Sequence, residues 1–188
     1  MINLTVIQRC QNGDAQAQRL VFEAYGKLLF KVAWRYLHDR MASEDALAQG
    51  FARAFQQMGQ CQFDSPQKLE AWLRRIVINE ALGILRERNR WTWAELSEVP
   101  QQASEWPDQL AELSAGEILE LIAALPPGYR AVFNLAVVEG YTHAEIAQLL
   151  NISEGTSKSQ LSKAKSLLQK QIKRLYGQKV SETESRGF

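Results

Sequence analysis

The feature that most constrains this chain is the spacing of its apolar residues, which recur every three or four positions along almost its whole length. No stretch alternates apolar and polar residues for long enough to make a strand, and Pro and Gly rarely interrupt the two ends. A repeat of three to four residues is that of an amphipathic helix, whereas a strand needs a repeat of two. The sequence therefore predicts an all-α protein.

Residues 1–90 contain four predicted helical segments that can share one compact core. Asp14 is positioned to cap the first segment and Ser43 the third, because short oxygen-bearing side chains accept hydrogen bonds from the free amides at a helix start. The four segments span residues 15–25, 26–39, 43–58 and 67–88. Together they predict a small helical bundle.

Charge is distributed unevenly, although the net charge is only +1. Residues 1–90 hold 13 basic and 9 acidic side chains, residues 91–125 hold 7 acidic and no basic ones, and residues 126–188 hold 9 basic and 5 acidic ones. Two cationic domains joined by an anionic connector suggest a protein that binds a polyanion at two sites. The alternative is that the charged residues only form solvated surfaces. We predict a first domain over residues 1–90, a linker over 91–114 and a second domain over 115–188.

Several classes of protein are disfavoured by what the sequence lacks. The apolar runs fall far short of the roughly 20 residues that cross a bilayer, and residues 1–14 do not resemble a signal sequence, so we expect a cytoplasmic protein with no membrane insertion. Cys10 and Cys61 have no Cys or His at ligand spacing, so we expect reduced structural thiols and no metal. Because His38 and His143 are isolated from other catalytic residue types, we expect neither an enzyme nor a cofactor.

Residues 141–175 carry the pattern of a helix-turn-helix. Thr142 and Glu145 form a capping box at the start of the first helix. Asn151 tolerates the left-handed backbone of a tight turn, and Ser153 is a cap for the second helix. One stripe of that second helix is apolar, formed by Leu161, Ala164, Leu168, Ile172 and Leu175.

The opposite face of the second helix is polar and cationic. From Gly155 to Lys179 there are seven basic residues and no acidic one. Short hydroxyls let a helix approach base edges, and Lys side chains reach guanine acceptors or phosphates, so this face predicts salt-sensitive binding to DNA. A solvated Lys-rich face is the alternative. The face consists of Ser159, Ser162, Lys163, Ser166 and Lys170, with Lys158 and Lys165 on one flank.

With these segments in this order, the chain resembles the extracytoplasmic-function (ECF) sigma factors of the sigma-70 family, the two-domain specificity subunits of bacterial RNA polymerase. The first domain is similar to their region 2 through "YGKLLFKVAWRYL", "SEDALAQGF" and "LEAWLRRIVINEAL". The second is similar to their region 4 through "LPPGYRAVFNL" and "EGYTHAEIAQLLNISEGTSKSQLSKAK". The resemblance covers about residues 15–176 and implies promoter recognition, DNA melting and transcription initiation.

The resemblance also implies partners and site residues. Its partners would be core RNA polymerase, through the clamp helices of the largest subunit and the flap, promoter DNA, and an anti-sigma factor. Core polymerase would be bound by Asp45, Gln49 and Phe51. The −10 element would be bound by Phe63, Asp64, Arg75, Asn79 and Arg86. The −35 element would be bound by Thr156, Lys158, Ser159, Ser162, Lys163 and Lys165.

The chain departs from the family pattern at three places. The usual Gln-Glu pair of the polymerase-binding helix appears as Ala48-Gln49, Gly83 stands where many relatives have Asp, and Ser157 stands where most have an apolar residue. A Gly inside a helix weakens it by about 1 kcal/mol relative to Ala. These departures predict altered polymerase contacts at Ala48-Gln49, a less stable helix at Gly83 and weaker core packing at Ser157.

Two alternatives stay open at this point. Trp72 lies in line with Leu69, Leu73 and Ile76, which favours a core position, while its flat ring also suits stacking on a base. The whole chain also fits a helix-turn-helix transcriptional regulator whose N-terminal domain senses a ligand or dimerises. That hypothesis predicts an apolar pocket or a dimer face in residues 1–90, where the sequence has a basic strip ending in "RERNR".

Overall fold

The computed structural model describes residues 2–88 and 113–185, with side chains as far as residue 176. The chain divides into two compact units, Met1–Asn89 and Arg90–Phe188. Across the described residues the regular elements are all helical, which confirms the predicted fold class. None of the described helices is both long and apolar enough to cross a bilayer. Most of the predicted linker, residues 91–112, lies outside the described residues.

The first unit is built from four α-helices and one short 3-10 turn. The helices α2, α3 and α4 pack on one another, and α1 packs on α2. Side chains from every helix contribute to the core, among them Ile7, Val21, Leu29, Tyr36, Ala54 and Leu73. The helices are α1 (Leu4–Gln11), α2 (Ala15–Leu37), α3 (Arg40–Gln57) and α4 (Pro66–Arg88), and the 3-10 turn is Met58–Gln60.

One predicted helix break in this unit was wrong, because α2 runs without interruption through Gly26. Both halves of α2 present the same buried stripe, and burying several large apolar side chains outweighs the roughly 1 kcal/mol that a helical Gly costs. The cap at Asp14 is confirmed, since its carboxylate accepts hydrogen bonds from the Gln16 and Ala17 amides. The stripe is formed by Val21, Tyr25, Leu29, Val32 and Tyr36.

The predicted start of α3 was also wrong. Asp39, rather than Ser43, caps this helix, by accepting a hydrogen bond of 2.8 Å from the Ala42 amide. Ser43 is fully buried and donates its hydroxyl proton to the Asp39 carbonyl at 2.6 Å. The Asp39 carboxylate also receives Arg88 of α4 at 3.3 Å, so the cap ties the start of α3 to the end of α4.

The helix α1 was not predicted. Asn3 caps it by accepting a hydrogen bond from the Val6 amide at 2.9 Å, and Ile7 and Cys10 are buried on one side. The available signal was an Asn followed by two apolar residues three positions apart, which is weak evidence for a helix of only eight residues. Burial raises the pKa of Cys10 to about 11, so its thiol stays protonated at neutral pH.

The helices α3 and α4 cross closely at Gly50. A Cβ atom added at Gly50 would lie 2.8 Å from the Cγ2 atom of Val77, nearer than van der Waals contact allows. Three residues on from each of these positions, Arg53 pairs with Glu80 at 3.0 Å, and Glu80 is only 9% exposed. The crossing therefore combines backbone-to-side-chain packing with a paired, nearly buried carboxylate.

The second unit begins with two short helices that pack on the last one. Their shared core contains Leu121, Leu125, Tyr129, Phe133, Ala164, Leu168 and Ile172, with Leu161 and Leu175 packed against it, which confirms the predicted apolar stripe. The buried Arg130 donates to the Ala123 carbonyl at 2.6 Å and so satisfies the end of the first of these helices. The elements are α5 (Ala115–Ala123), α6 (Pro127–Phe133), a π-helical turn (Asn134–Val138), α7 (His143–Leu150) and α8 (Glu154–Ser185).

Two helical glycines of the first unit give opposite predictions. Gly50→Ala is expected to lower the free energy of unfolding by about 1–3 kcal/mol, because the new methyl group overlaps Val77. Gly83→Ala is expected to raise it by about 0.5–1 kcal/mol, because its methyl group would meet only the end of the Arg86 side chain, at 4.0 Å. Urea denaturation followed by circular dichroism measures both changes, and stabilisation by Gly50→Ala would contradict the close crossing.

Candidate nucleic-acid interface

The turn between α7 and α8 has the geometry of a helix-turn-helix. At the start of α7, Thr142 and Glu145 form the predicted capping box: the Glu145 carboxylate accepts from the Thr142 amide at 2.8 Å, and the Thr142 hydroxyl accepts from the Glu145 amide at 3.3 Å. Asn151 ends α7 with φ 54° and ψ 50°, the predicted left-handed conformation. Ser153 then accepts a hydrogen bond from the Thr156 amide at 2.9 Å. These predictions are confirmed.

The departure at Ser157 is accommodated by a polar contact between the two helices. Ser157 is fully buried, and its hydroxyl oxygen lies 2.8 Å from Nδ1 of His143, the first residue of α7. A buried hydroxyl with a hydrogen-bond partner does not carry the penalty of an unsatisfied polar group. The expected packing weakness at Ser157 is therefore offset by a bond that joins α7 to α8.

The predicted −35 residues lie on the first three turns of α8, and all of them are at least partly exposed. Lys158 is exposed and only loosely paired with Glu154, at 3.8 Å. The Thr156 and Ser153 hydroxyls lie 2.9 Å apart, and the Ser159 hydroxyl donates to the Thr156 carbonyl at 3.0 Å. Thr156, Ser159, Ser162, Lys163 and Lys165 have intermediate exposure.

One residue of the predicted polar face is buried instead. Ser166 is 9% exposed, so its predicted place on the open face was wrong. Its side chain is short and stands one turn from the longer Lys163 and Lys170, whose aliphatic stems cover neighbouring surface on a helix. The other residues of the face stay accessible: Ser159, Ser162 and Lys163 have intermediate exposure, and Lys170 is exposed.

The first unit presents an open arc along α4, defined by Lys68, Trp72, Arg75, Asn79, Gly83 and Arg86. These six residues follow one another at three- or four-residue steps, which places them on one side of the helix. Each is exposed or half-buried, while α4 is otherwise buried along much of its length. The arc combines three cations, one amide and one aromatic ring.

The loop Cys61–Ser65 precedes α4 and lies against this arc. The rings of Phe63 and Trp72 meet edge to face, with centroids 5.2 Å apart and planes at 63°. Trp72 is half-buried, so it is neither a full core residue nor a free stacking platform. The loop thereby brings two of the predicted −10 residues, Phe63 and Asp64, to the first turns of the arc that further along carries Arg75 and Asn79.

Asp64 is exposed and paired with Lys68 one turn into α4. The hydrogen bond from the Lys68 ammonium group lowers the pKa of Asp64, so the carboxylate is charged at neutral pH. A carboxylate accepts hydrogen bonds from the amino groups of cytosine or adenine, and a paired cation limits its repulsion of phosphates. Lys68 was not among the predicted −10 residues. Its spacing of four residues from Asp64 is that of an ion pair on one side of a helix, and this was the available signal.

The predicted polymerase-binding residues separate into two groups. Asp45 and Gln49 are exposed one turn apart on α3, so both are available to a partner. Phe51 is only 4% exposed, and its ring packs against Phe22 of α2 at 4.8 Å. Phe51 therefore faces inward in this structure, and its role in polymerase binding stays a prediction. Phe22, which was not among the predicted residues, is 45% exposed.

Two sigma-70 family models match this chain, one in each unit. The family model for sigma-70 region 2 matches residues 21–91, and that for sigma-70 region 4 matches residues 115–168. Two solved structures have a similar fold. The sigma factor RpoE in complex with the anti-sigma factor NepR, from Bartonella quintana, is 21% identical with a TM-score of 0.51, over 82% of this chain and 96% of that one. CnrH in complex with the cytosolic domain of CnrY is 19% identical with a TM-score of 0.50, over 90% and 96%.

Curated relatives match along most of their own length. The ECF RNA polymerase sigma factor SigW of Bacillus subtilis (strain 168) is 25% identical over 182 residues, which are 90% of this chain and 96% of the relative. The ECF RNA polymerase sigma factor SigL of Mycobacterium tuberculosis is 30% identical over 153 residues, which are 79% of this chain and 84% of the relative. With both regional matches in the order region 2 then region 4, the chain belongs to the ECF RNA polymerase sigma factors.

Proposed function

We propose that this sigma factor binds core RNA polymerase through α3, reads the −10 element with the loop Cys61–Ser65 and the open arc of α4, and reads the −35 element with the start of α8. In this proposal it acts by binding and not by catalysis, in the cytoplasm with its polymerase. Family membership does not favour the alternative of a ligand-sensing or dimeric regulator.

The observation that carries the proposal is the Phe63–Trp72 ring pair, which lies on an exposed arc of α4 that also carries Arg75 and Asn79. A base drawn out of a duplex needs an aromatic or flat polar wall, hydrogen-bonding groups for its edge, and cations for its backbone. The Phe63–Trp72 pair supplies the wall, Asn79 an amide, and Arg75 a cation. A regulator that only binds duplex DNA through its helix-turn-helix has no need of such a surface.

The −35 role is supported by the start of α8. A recognition helix reads the major groove with side chains near its N-terminus. The Ser153 cap fixes where α8 begins, and Lys158, Ser159 and Lys163 follow within the next three turns. Cations at this end reach guanine acceptors or phosphates, and small hydroxyls permit the close approach that direct contacts require.

The polymerase role is supported by the exposed polar face of α3. Asp45 and Gln49 stand free of the core on this face, with Ala48 exposed between them. Ala48 supplies no hydrogen bond, so the neighbouring half-exposed ring of Phe22 is proposed to add apolar contact in its place. Phe51 would then act indirectly, by holding Phe22 outward through their ring contact.

An anti-sigma protein is the second proposed partner. The solved structures of RpoE and CnrH described above are complexes, and the partner of RpoE is an anti-sigma factor. We infer that such a protein would compete for the α3 face, since an exposed ring beside polar side chains is typical of a protein-binding surface. Its removal would free the face for polymerase.

The proposal is tested by reconstitution with purified core polymerase. The protein is expected to form a complex that initiates transcription at defined sites on fragmented host DNA, and sequencing the transcripts gives both promoter elements. Asp45→Ala should weaken complex formation, while Glu23→Ala, at another exposed acid of the same unit, should not. A chain that shows no affinity for polymerase, or that binds duplex DNA tightly as a dimer without it, would overturn the proposal.

Lys163→Ala is expected to weaken the −35 contact and leave polymerase binding intact. If Lys163 contacts a base, its loss should reduce promoter affinity about tenfold. If it contacts a phosphate, its loss should lower the number of ions released on binding, read from the slope of log affinity against log salt concentration, by about one. Filter binding of the holoenzyme to promoter DNA at several salt concentrations measures both. Lys173→Ala, further along α8 and exposed, is the control. Equal promoter strength in the Lys163 variant and the wild type would count against this role.

Asn79→Ala is expected to impair strand opening and not recruitment to the closed complex, because the amide is proposed to contact an unstacked base. Permanganate reactivity of unpaired thymines at the start site should fall, while footprints taken at low temperature stay unchanged. Gln67→Ala removes another amide of α4 that is exposed and lies outside the open arc. Unchanged thymine reactivity in the Asn79 variant would exclude a role for Asn79 in strand opening.

A further inference from the structure

The loop Cys61–Ser65, which carries Phe63 and Asp64, lies between the 3-10 turn and α4 and forms no regular secondary structure. Its last residue is fixed by α4, since the Ser65 hydroxyl accepts from the Lys68 amide at 3.3 Å and the Ser65 carbonyl accepts from the Leu69 amide at 3.3 Å. Its middle is held by the ring contact of Phe63 with Trp72. Its first residue is joined to the preceding turn by the hydrogen bond from the Cys61 amide to the Met58 carbonyl, at 3.1 Å, while the Cys61 carbonyl is held by a different part of the chain.

That first residue is held by Gln11, at the end of α1. The side-chain amide of Gln11 donates to the Cys61 carbonyl at 2.6 Å and lies 3.4 Å from the Met58 carbonyl. Both carbonyls belong to the segment that leads out of α3 into the loop, and about 50 residues separate them from Gln11 in sequence. The Met58 carbonyl also accepts from the Cys61 amide at 3.1 Å, so the shorter bond from Gln11, to the Cys61 carbonyl, is the one that satisfies a loop carbonyl by a side chain.

The end of α1 is itself firmly placed. Ile7 and Cys10 are fully or almost fully buried, and Arg9 pairs with Asp14 at 2.7 Å while Asp14 caps α2. The approach of the turn to α1 is close, because a Cβ atom added at Gly59 would lie 3.3 Å from the Gln11 carbonyl oxygen. Gln11 is thus attached to the core on one side and to the start of the loop on the other.

We propose that Gln11 is a positioning residue for base selection at the −10 element: by holding the Cys61 carbonyl, it sets where Phe63 and Asp64 stand relative to Arg75 and Asn79. Gln11 does not contact DNA in this proposal. It holds the backbone at Cys61, two residues before Phe63, and so acts on Phe63 through the backbone. The inference rests on the proposed function, since it presupposes that the loop reads a base.

A positioning role and a purely structural role of Gln11 predict different effects on transcription. General destabilisation reduces the number of active molecules and lowers transcription from every promoter by the same factor. A displaced loop lowers the preference for the correct −10 bases and leaves the preference at −35 unchanged, because the −35 residues lie on α8 in the other unit. The discriminating quantity is the ratio of transcription between two promoters for one protein preparation, from which the folded fraction cancels.

The test uses the full-length chain with core polymerase on a promoter recovered by initiation from genomic fragments, together with one −10-substituted and one −35-substituted version. Gln11→Ala is expected to reduce the preference for the parent −10 about fivefold, the effect of one neutral hydrogen bond, with the −35 preference at the wild-type value. Gln11→Glu, which keeps the size and removes the donor, should do the same. Gln8→Ala removes an exposed glutamine of α1 and should leave both preferences unchanged.

The possible outcomes distinguish a failure of the positioning role of Gln11 from a failure of the proposed function. A Gln11→Ala protein with the wild-type −10 preference overturns the positioning role, and so does one that loses the −10 and −35 preferences equally. A wild-type protein that shows no preference at −10 would overturn the proposed reading of that element as well. Loss of −10 preference in both Gln11 variants, with the −35 preference kept, supports the inference.

Discussion

The first unit depends on the close crossing of α3 and α4, where the absence of a side chain at Gly50 lets the helix backbone approach Val77. The Arg53–Glu80 pair lies one turn further along and neutralises a carboxylate that is almost removed from water. With the crossing fixed, the exposed face of α3, with Asp45 and Gln49, and the open arc of α4, with Arg75 and Asn79, belong to one packed body. The surfaces proposed for polymerase binding and for DNA opening thereby share a single small core.

Several functional positions are set by isolated polar contacts and not by apolar packing. The Gln11 amide holds the start of the loop Cys61–Ser65, the His143–Ser157 contact joins the two helices of the helix-turn-helix, and Asp39 caps α3 while receiving Arg88. Each contact joins two elements at a point where a loop or helix end leaves backbone groups without partners. Such contacts contribute little to total stability, about 1 kcal/mol each, but they are directional and therefore fix orientation.

The charge pattern suits a protein whose two DNA contacts are individually weak. A single cationic helix face supplies a few phosphate contacts, whose strength falls steeply with salt. Tethering the two units raises the effective concentration of the second contact once the first has formed, without any new interaction. The net charge of +1 limits nonspecific attraction to DNA, because the 7 acidic residues of positions 91–125 offset the basic blocks on either side.

The sequence by itself determined the helical class, the helix-turn-helix with its Thr142, Asn151 and Ser153 signals, and the apolar stripe of α8, because periodicity and capping are local properties that depend on residues a few positions apart. Only the tertiary structure decided that Phe51 faces inward and Phe22 outward, that α2 continues through Gly26, that Asp39 rather than Ser43 caps α3, and that Gln11 reaches the loop before α4. These outcomes depend on which distant segments meet, and competing local choices, such as two possible caps four residues apart, differ by too little free energy for the local sequence to decide between them.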